Sequence, residues 1–173
     1  MHSVREIADR VRRPHEEMGT VVDRIRGWSD VGLIEVLGSK FPGTGSRRSY
    51  GPEAIIDAVI LTALTDAGLA AVRVASFVSD KGQTVLSFGR QGACEVLDPR
   101  KKGRPTFLVI CGPAPSPSTV FISYGETKLT QLPPGAPWTI ILNLTEYFRP
   151  LRGVVNAVLE GGPVKIWLTK KEN

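Results

Sequence analysis

RIRGWSDVGLIEVL, residues 24 to 37, decides how the first half of the chain is read. A helix that only fills a core spreads its charges over its solvent face and seldom stops on a glycine followed at once by two aliphatics. Here two arginines and a tryptophan precede an abrupt Gly32-Leu33-Ile34. That is the pattern of a helix that presents cations to an anion and then turns into a hairpin.

Working outward, the spacing predicts a helix from about Val21 to Val31. Thr20 is expected as its N-cap, and Val22, Ile25 and Trp28 as its buried face. Arg24 and Arg26 lie off that stripe and are expected to be exposed, with Trp28 as the structural anchor. Upstream, Ser3 and Glu6 have the S-x-x-E spacing of a capping box, which places a first helix at about 3 to 12. Pro14 ends it, because the residue before a proline is pushed out of the helical region. Residues 15 to 19 then make a turn closing on Gly19. Two helices joined by such a turn outline a helix-turn-helix. Downstream, LIEVLGSKFPGTGSRRSY reads as a strand, a Gly/Pro/Ser-rich loop and a return strand ending at Tyr50, the form of a wing. An apolar helix is expected over 52 to 67, closed by Gly68, and a shorter one over 70 to 78.

Beyond Asp80 the composition changes. TVLSF, TFLVICG, TVFISY and WTIILNL read as strands, separated by DPRKKGRP, PAPSPS and LPPGAP. A helix over 145 to 159, capped from Asn143, and a last strand PVKIWLTKK complete the expectation. A domain boundary is expected at 79 to 84. Charge divides there as well. Residues 1 to 80 carry 10 Lys and Arg against 11 Asp and Glu, whereas 81 to 173 carry 12 against 6. A basic face in the first half must therefore be made locally, with acids such as Asp57 and Asp66 turned elsewhere.

Several of these residues stand in an order that resembles the DNA-binding domain of the MerR family of bacterial transcription regulators. They are Gly19 at the turn, Ile25-Arg26-Gly27-Trp28, Gly32-Leu33-Ile34, Arg48-Ser49-Tyr50 and Ala67-Gly68-Leu69-Ala70-Ala71. The likeness covers about residues 3 to 78. It departs from the family at Gly27, where an aromatic is usual, and at Ser29, where an acid is usual. After residue 80 a β-like run replaces the family's long dimerisation helix. The resemblance implies that Arg26 contacts DNA, and that the wing residues Arg48 and Tyr50 touch the sugar-phosphate backbone. Thr20, Arg24, Arg26, Arg47, Arg48 and Tyr50 are the expected DNA-binding set. A guanidinium suits this role because it forks onto phosphate or guanine edges. Arg100, Lys101, Lys102 and Arg104 form a possible second basic patch, for flanking DNA or an acidic partner.

Signals for catalysis are weak. His15-Glu16-Glu17-Met18-Gly19 begins like a zinc motif but has glycine where the second histidine must stand. Gly43 to Ser46 lacks the Gly-Lys-Ser/Thr end that holds phosphates. Cys94 and Cys111 are too few to staple a domain or to fill a structural metal site. The start lacks an apolar signal core, and the most hydrophobic window, 54 to 74, is broken by Asp57, Asp66 and Arg73.

The expected fold is thus α+β: an N-terminal all-α winged helix-turn-helix over residues 1–80, followed by a smaller α+β module over 84–173 for dimerisation, an effector or a partner. The expected protein is a cytoplasmic, sequence-specific regulator of double-stranded DNA, without enzymatic activity, metal, cofactor or membrane. A homodimer is expected, with RNA polymerase or another protein as a possible partner. The alternatives are an architectural or recombination accessory protein, and an adaptor that kept the fold without DNA binding.

Overall fold

A computed structural model describes residues 1–39, 47–71, 75, 84–98, 105–111, 119–124 and 139–151, and it is α+β. A two-residue strand, β1 (His2–Ser3), leads into helix α1 (Val4–Val11). The capping box forms as the sequence predicts. The Glu6 amide donates to Ser3 Oγ at 3.3 Å, and the Ser3 amide donates to Glu6 Oε2 at 2.6 Å. Ile7, Ala8 and Val11 are buried.

Helix α2 (Met18–Asp30) starts earlier than expected. Its N-cap is Glu17, whose side chain makes no capping bond, and Thr20 lies inside the first turn instead of capping it. Val21, Ile25, Trp28 and Ser29 are its buried residues, with Val22 only partly covered. The helix stops as glycine chemistry dictates. Gly32 takes a left-handed φ of 79°, its amide donates to the Ser29 carbonyl at 3.1 Å, and the Leu33 amide donates to the Trp28 carbonyl at 2.9 Å. These two bonds define a Schellman stop.

The chain then enters β2 (Val36–Leu37) and returns in β3 (Ser49–Tyr50). β1 joins them in an antiparallel sheet of order β1-β3-β2, with Tyr50 opposite both His2 and Val36. The first segment is therefore not all-α: its hairpin is extended by a strand too short to carry a sequence pattern. Helix α3 (Glu53–Asp66) follows, and every residue from Ala54 to Leu64 is buried. It also ends in a Schellman stop, at Gly68 with φ 75°. Of the helix expected over 70 to 78, only Ala70, Ala71 and Ala75 are described; Ala70 is exposed, and Ala71 and Ala75 are buried.

TVLSF is not a strand. Thr84 caps helix α4 (Val85–Leu97), its Oγ1 accepting from the Ser87 amide at 3.1 Å. The buried positions Val85, Leu86, Gly89, Gly92, Ala93, Val96 and Leu97 recur at helical spacing. The other three apolar runs do form strands: β4 (Thr106–Cys111), β5 (Thr119–Tyr124) and β6 (Thr139–Asn143), antiparallel, in the order β5-β4-β6. The central β4 is buried along its whole length. Asn143 caps α5 (Leu144–Phe148), which passes into a 3-10 turn at Arg149–Leu151. The rest of the helix expected to 159, and the last strand, lie outside the described residues.

α4 packs between α3 and the second sheet. A Cβ on Gly89 would stand 2.7 Å from Ile60 Cδ1, and one on Gly92 would stand 2.4 Å from Leu144 Cδ1. Glycine thus sets a close approach to α3 at one position and to α5 at the other. The buried apolar side chains form one continuous cluster from Ile7 to Leu151. Within it lies a charge. Asp57 of α3, 1% exposed, accepts from Arg90 Nε at 2.6 Å and Nη2 at 2.7 Å. Burial pushes the Asp57 carboxyl above its ordinary range, against the downward pull of the guanidinium.

Arg90→Met should cost about 3 kcal/mol in urea unfolding at neutral pH, because it strands a buried carboxylate. A carboxyl whose folded pKa is raised binds its proton more tightly in the native state. Its cost is therefore smallest in acid and grows as pH rises through the folded pKa. The gap to wild type should narrow on acidification toward pH 3.8, the ordinary Asp57 value. The double variant Asp57→Leu/Arg90→Met should regain most of the loss. A gap that does not change with pH would contradict the role given to Asp57.

Candidate nucleic-acid interface

The expected contact residues fall into distinct groups once their surroundings are seen. Arg24 is not exposed. Its Nη1 donates to Glu16 Oε1 at 2.6 Å and its Nη2 to Glu16 Oε2 at 3.3 Å, while its guanidinium carbon lies 5.5 Å from the Trp28 ring centroid. Only 18% of its side chain is accessible. Glu16 also accepts from the Arg13 amide at 3.1 Å, so the carboxylate ties the inter-helix turn to α2. Arg24 is a clamp. The Glu16 carboxyl is held below its ordinary range, first by the hydrogen bond from Arg24.

Tyr50 also departs from expectation, being fully buried beneath the sheet. Its hydroxyl shares a 3.3 Å hydrogen bond with that of Ser29, and Ser29 Oγ donates to the Ile25 carbonyl at 2.9 Å. A hydrophobic ring with a polar tip is placed here where both ends are satisfied. It cannot reach a backbone phosphate. Arg48 is partly buried, its Nη2 2.8 Å from Asp30 Oδ1, which fastens β3 to the end of α2.

Thr20, Arg26 and Arg47 are exposed. Arg26 Nη1 lies 3.2 Å from Asp23 Oδ1, with 55% and 76% of the two side chains accessible. Thr20 and Arg26, with Gly19, Asp23, Gly27 and Asp30, make an open arc along α2. On the arc itself the carboxylates Asp23 and Asp30 outnumber the one arginine, Arg26, while Asp30 is also paired with Arg48 at its edge. Asp57 and Asp66 are turned elsewhere, as the charge balance requires. Asp66 pairs with Arg13 and accepts from the Tyr147 hydroxyl at 3.3 Å. Arg100, Lys101, Lys102 and Arg104, and the hairpin loop 40 to 46, lie outside the described residues.

Sequence reasoning missed Glu16 as the partner of Arg24, and Arg90 as the partner of Asp57. A signal existed for the second: a carboxylate in the apolar middle of a helix demands a cation. Arg90 also lines a shallow cleft of about 360 Å³ with Ser29 and residues Gly32 to Val36, at the foot of the hairpin. Cys94 is partly buried on α4, and burial pushes its thiol up. Cys111 is buried on β4. Among the described residues no three or more His, Cys, Asp or Glu side chains gather as a metal site, and no helix is long and apolar enough to cross a membrane. No protein-family model and no curated protein matches the chain.

A carboxyl with a depressed folded pKa contributes stability that is present above its unfolded value and lost as pH falls through the folded one. Glu16→Gln should therefore lower stability by about 1 kcal/mol at neutral pH. The difference from wild type should vanish in acid well below 4.5, the ordinary value. Chemical unfolding at a series of pH values checks this.

Proposed function

We propose that the chain is a sequence-specific, double-stranded-DNA-binding transcription regulator. Residues 1–80 act as a winged helix-turn-helix of MerR-like kind. α2 enters the major groove, and the β2–β3 hairpin lies on the adjacent backbone. The observation that carries this reading is the exposed arc of the 13-residue helix α2, joined at its end to the hairpin by the Arg48–Asp30 pair, with exposed Arg47 next to Arg48 in the chain. Such a helix is about 20 Å long and 10 to 12 Å across, matching a groove about 12 Å wide. Arg26 and Arg47 are the phosphate or base contacts. Arg24, Arg48 and Tyr50 support them by fixing α2 against the turn and the sheet. Residues 84–173 serve dimerisation, effector binding or contact with RNA polymerase or another protein. Two half-sites then multiply a modest single-domain affinity.

A second reading, an adaptor that binds a basic protein, is favoured by the excess of carboxylates on the α2 arc. Salt separates the two, because phosphate contacts release counterions and make affinity fall steeply with salt. Site selection from a random duplex library with the full-length chain should yield a two-fold-related motif that weakens as salt rises. Arg26→Ala and Arg47→Ala should each bind about tenfold more weakly or worse, leave stability unchanged, and lower the salt slope by about 1 where a phosphate contact is lost. Arg24→Ala should lower stability as well as binding. No enriched motif, with no salt dependence, would transfer the assignment to the adaptor.

A further inference from the structure

The α2 arc has a centre, and the centre is acidic. At about 100° per residue, the exposed positions Gly19, Thr20, Asp23, Arg26, Gly27 and Asp30 span one side of the helix with Asp23 near the middle. Glycines stand one turn before and one turn after it. Apart from the chain neighbours and the helix's own backbone, no atom lies within 4 Å of where a Cβ would sit on either Gly19 or Gly27. A glycine inside a helix costs roughly 0.5 to 1 kcal/mol relative to alanine, and no described neighbour requires these two. Their effect is to lower the helix surface on both sides of Asp23, so that its carboxylate stands proud. Arg26, one turn on, holds that carboxylate at 3.2 Å while both groups remain largely accessible.

On a DNA-reading surface a prominent carboxylate is repelled by phosphates, so it needs a donor in the groove. In the major groove, carboxylates take hydrogen bonds from the amino group of cytosine N4, and arginine forks onto guanine O6 and N7. Resting on the DNA-binding reading above, we propose that Asp23 is a specificity-determining residue that accepts from cytosine N4. Arg26 neutralises it and takes the guanine of the same C·G pair. The two oxygens and the guanidinium fork form one recognition unit, and the flanking glycines let the helix backbone approach the base edges.

The test is site selection with the full-length wild type, Asp23→Ala and Asp23→Asn, at two salt concentrations, with thermal unfolding as a control. Asp23 is exposed, so all three proteins should unfold alike. The wild-type motif should hold cytosine at one position of each half-site, and Asp23→Ala should lose about tenfold of discrimination there and nowhere else. Asp23→Asn should shift that position toward adenine, whose N6 and N7 suit an amide. The salt slope should not fall in either variant, because no phosphate contact is removed. A wild-type motif that both variants recover unchanged would overturn the proposal while leaving DNA binding intact. So would a uniform gain of affinity for all sequences in Asp23→Ala, which would mark the carboxylate as merely repulsive. A wild type that enriches no motif would overturn the DNA-binding reading itself, and this inference with it.

Discussion

The bidentate pair between Asp57 and Arg90 is the constraint on which the packing depends. α3 is covered on all sides, as a helix apolar around its whole circumference must be. A carboxylate in such a helix is tolerated only with a cation close by. That cation comes from α4, so α4 must lie against α3 in one register. The missing side chain at Gly89 gives room for the contact, and Gly92 lets α5 close on the other side. The second sheet is thereby carried onto the same core as α1 and α2. Arg90 also borders the cleft at the foot of the hairpin, which brings the second segment within reach of the element proposed to touch DNA.

α2 uses its charges in two ways. Arg24 and Asp30 are consumed internally, one by Glu16 and one by Arg48 beside β3, and they fix the helix to the turn before it and the sheet after it. Arg26 and Asp23 remain in solvent. A helix proposed to read a groove needs both kinds of residue, because a contact side chain is only as well aimed as the helix that bears it. Burial of Tyr50 against Ser29 has the same effect, trading a surface contact for a rigid joint between α2 and the sheet.

Much of this was legible in the sequence, and the failures have physical reasons. The Ser3/Glu6 box, the glycine stops at 32 and 68, and three of the apolar runs were readable because each depends on residues close together in the chain. The start of α4 reads as a strand because TVLSF opens with a β-branched pair in a window too short to show the period that continues to Leu97. Its two glycines, poor helix formers, hid the pattern that they in fact serve. Arg24 reads as a surface residue because helix spacing alone cannot show a partner eight residues back, across a turn. β1 has only two residues, and its pairing with β3 leaves no local signature. The basic run at 100 to 104 lies outside the described residues.

The central claim is that the exposed arc of α2 meets DNA. Its most direct test is a backbone amide NMR titration of the full chain with a random-sequence duplex of about 20 base pairs at low salt. On this account non-specific binding, carried by phosphate contacts, uses the same surface. Resonances of Gly19, Thr20, Asp23, Arg26, Gly27 and Arg47 should shift first and furthest, while those around Asp57 and Arg90 stay in place. Shifts confined to residues outside α2 and the hairpin, or none at all, would contradict the account.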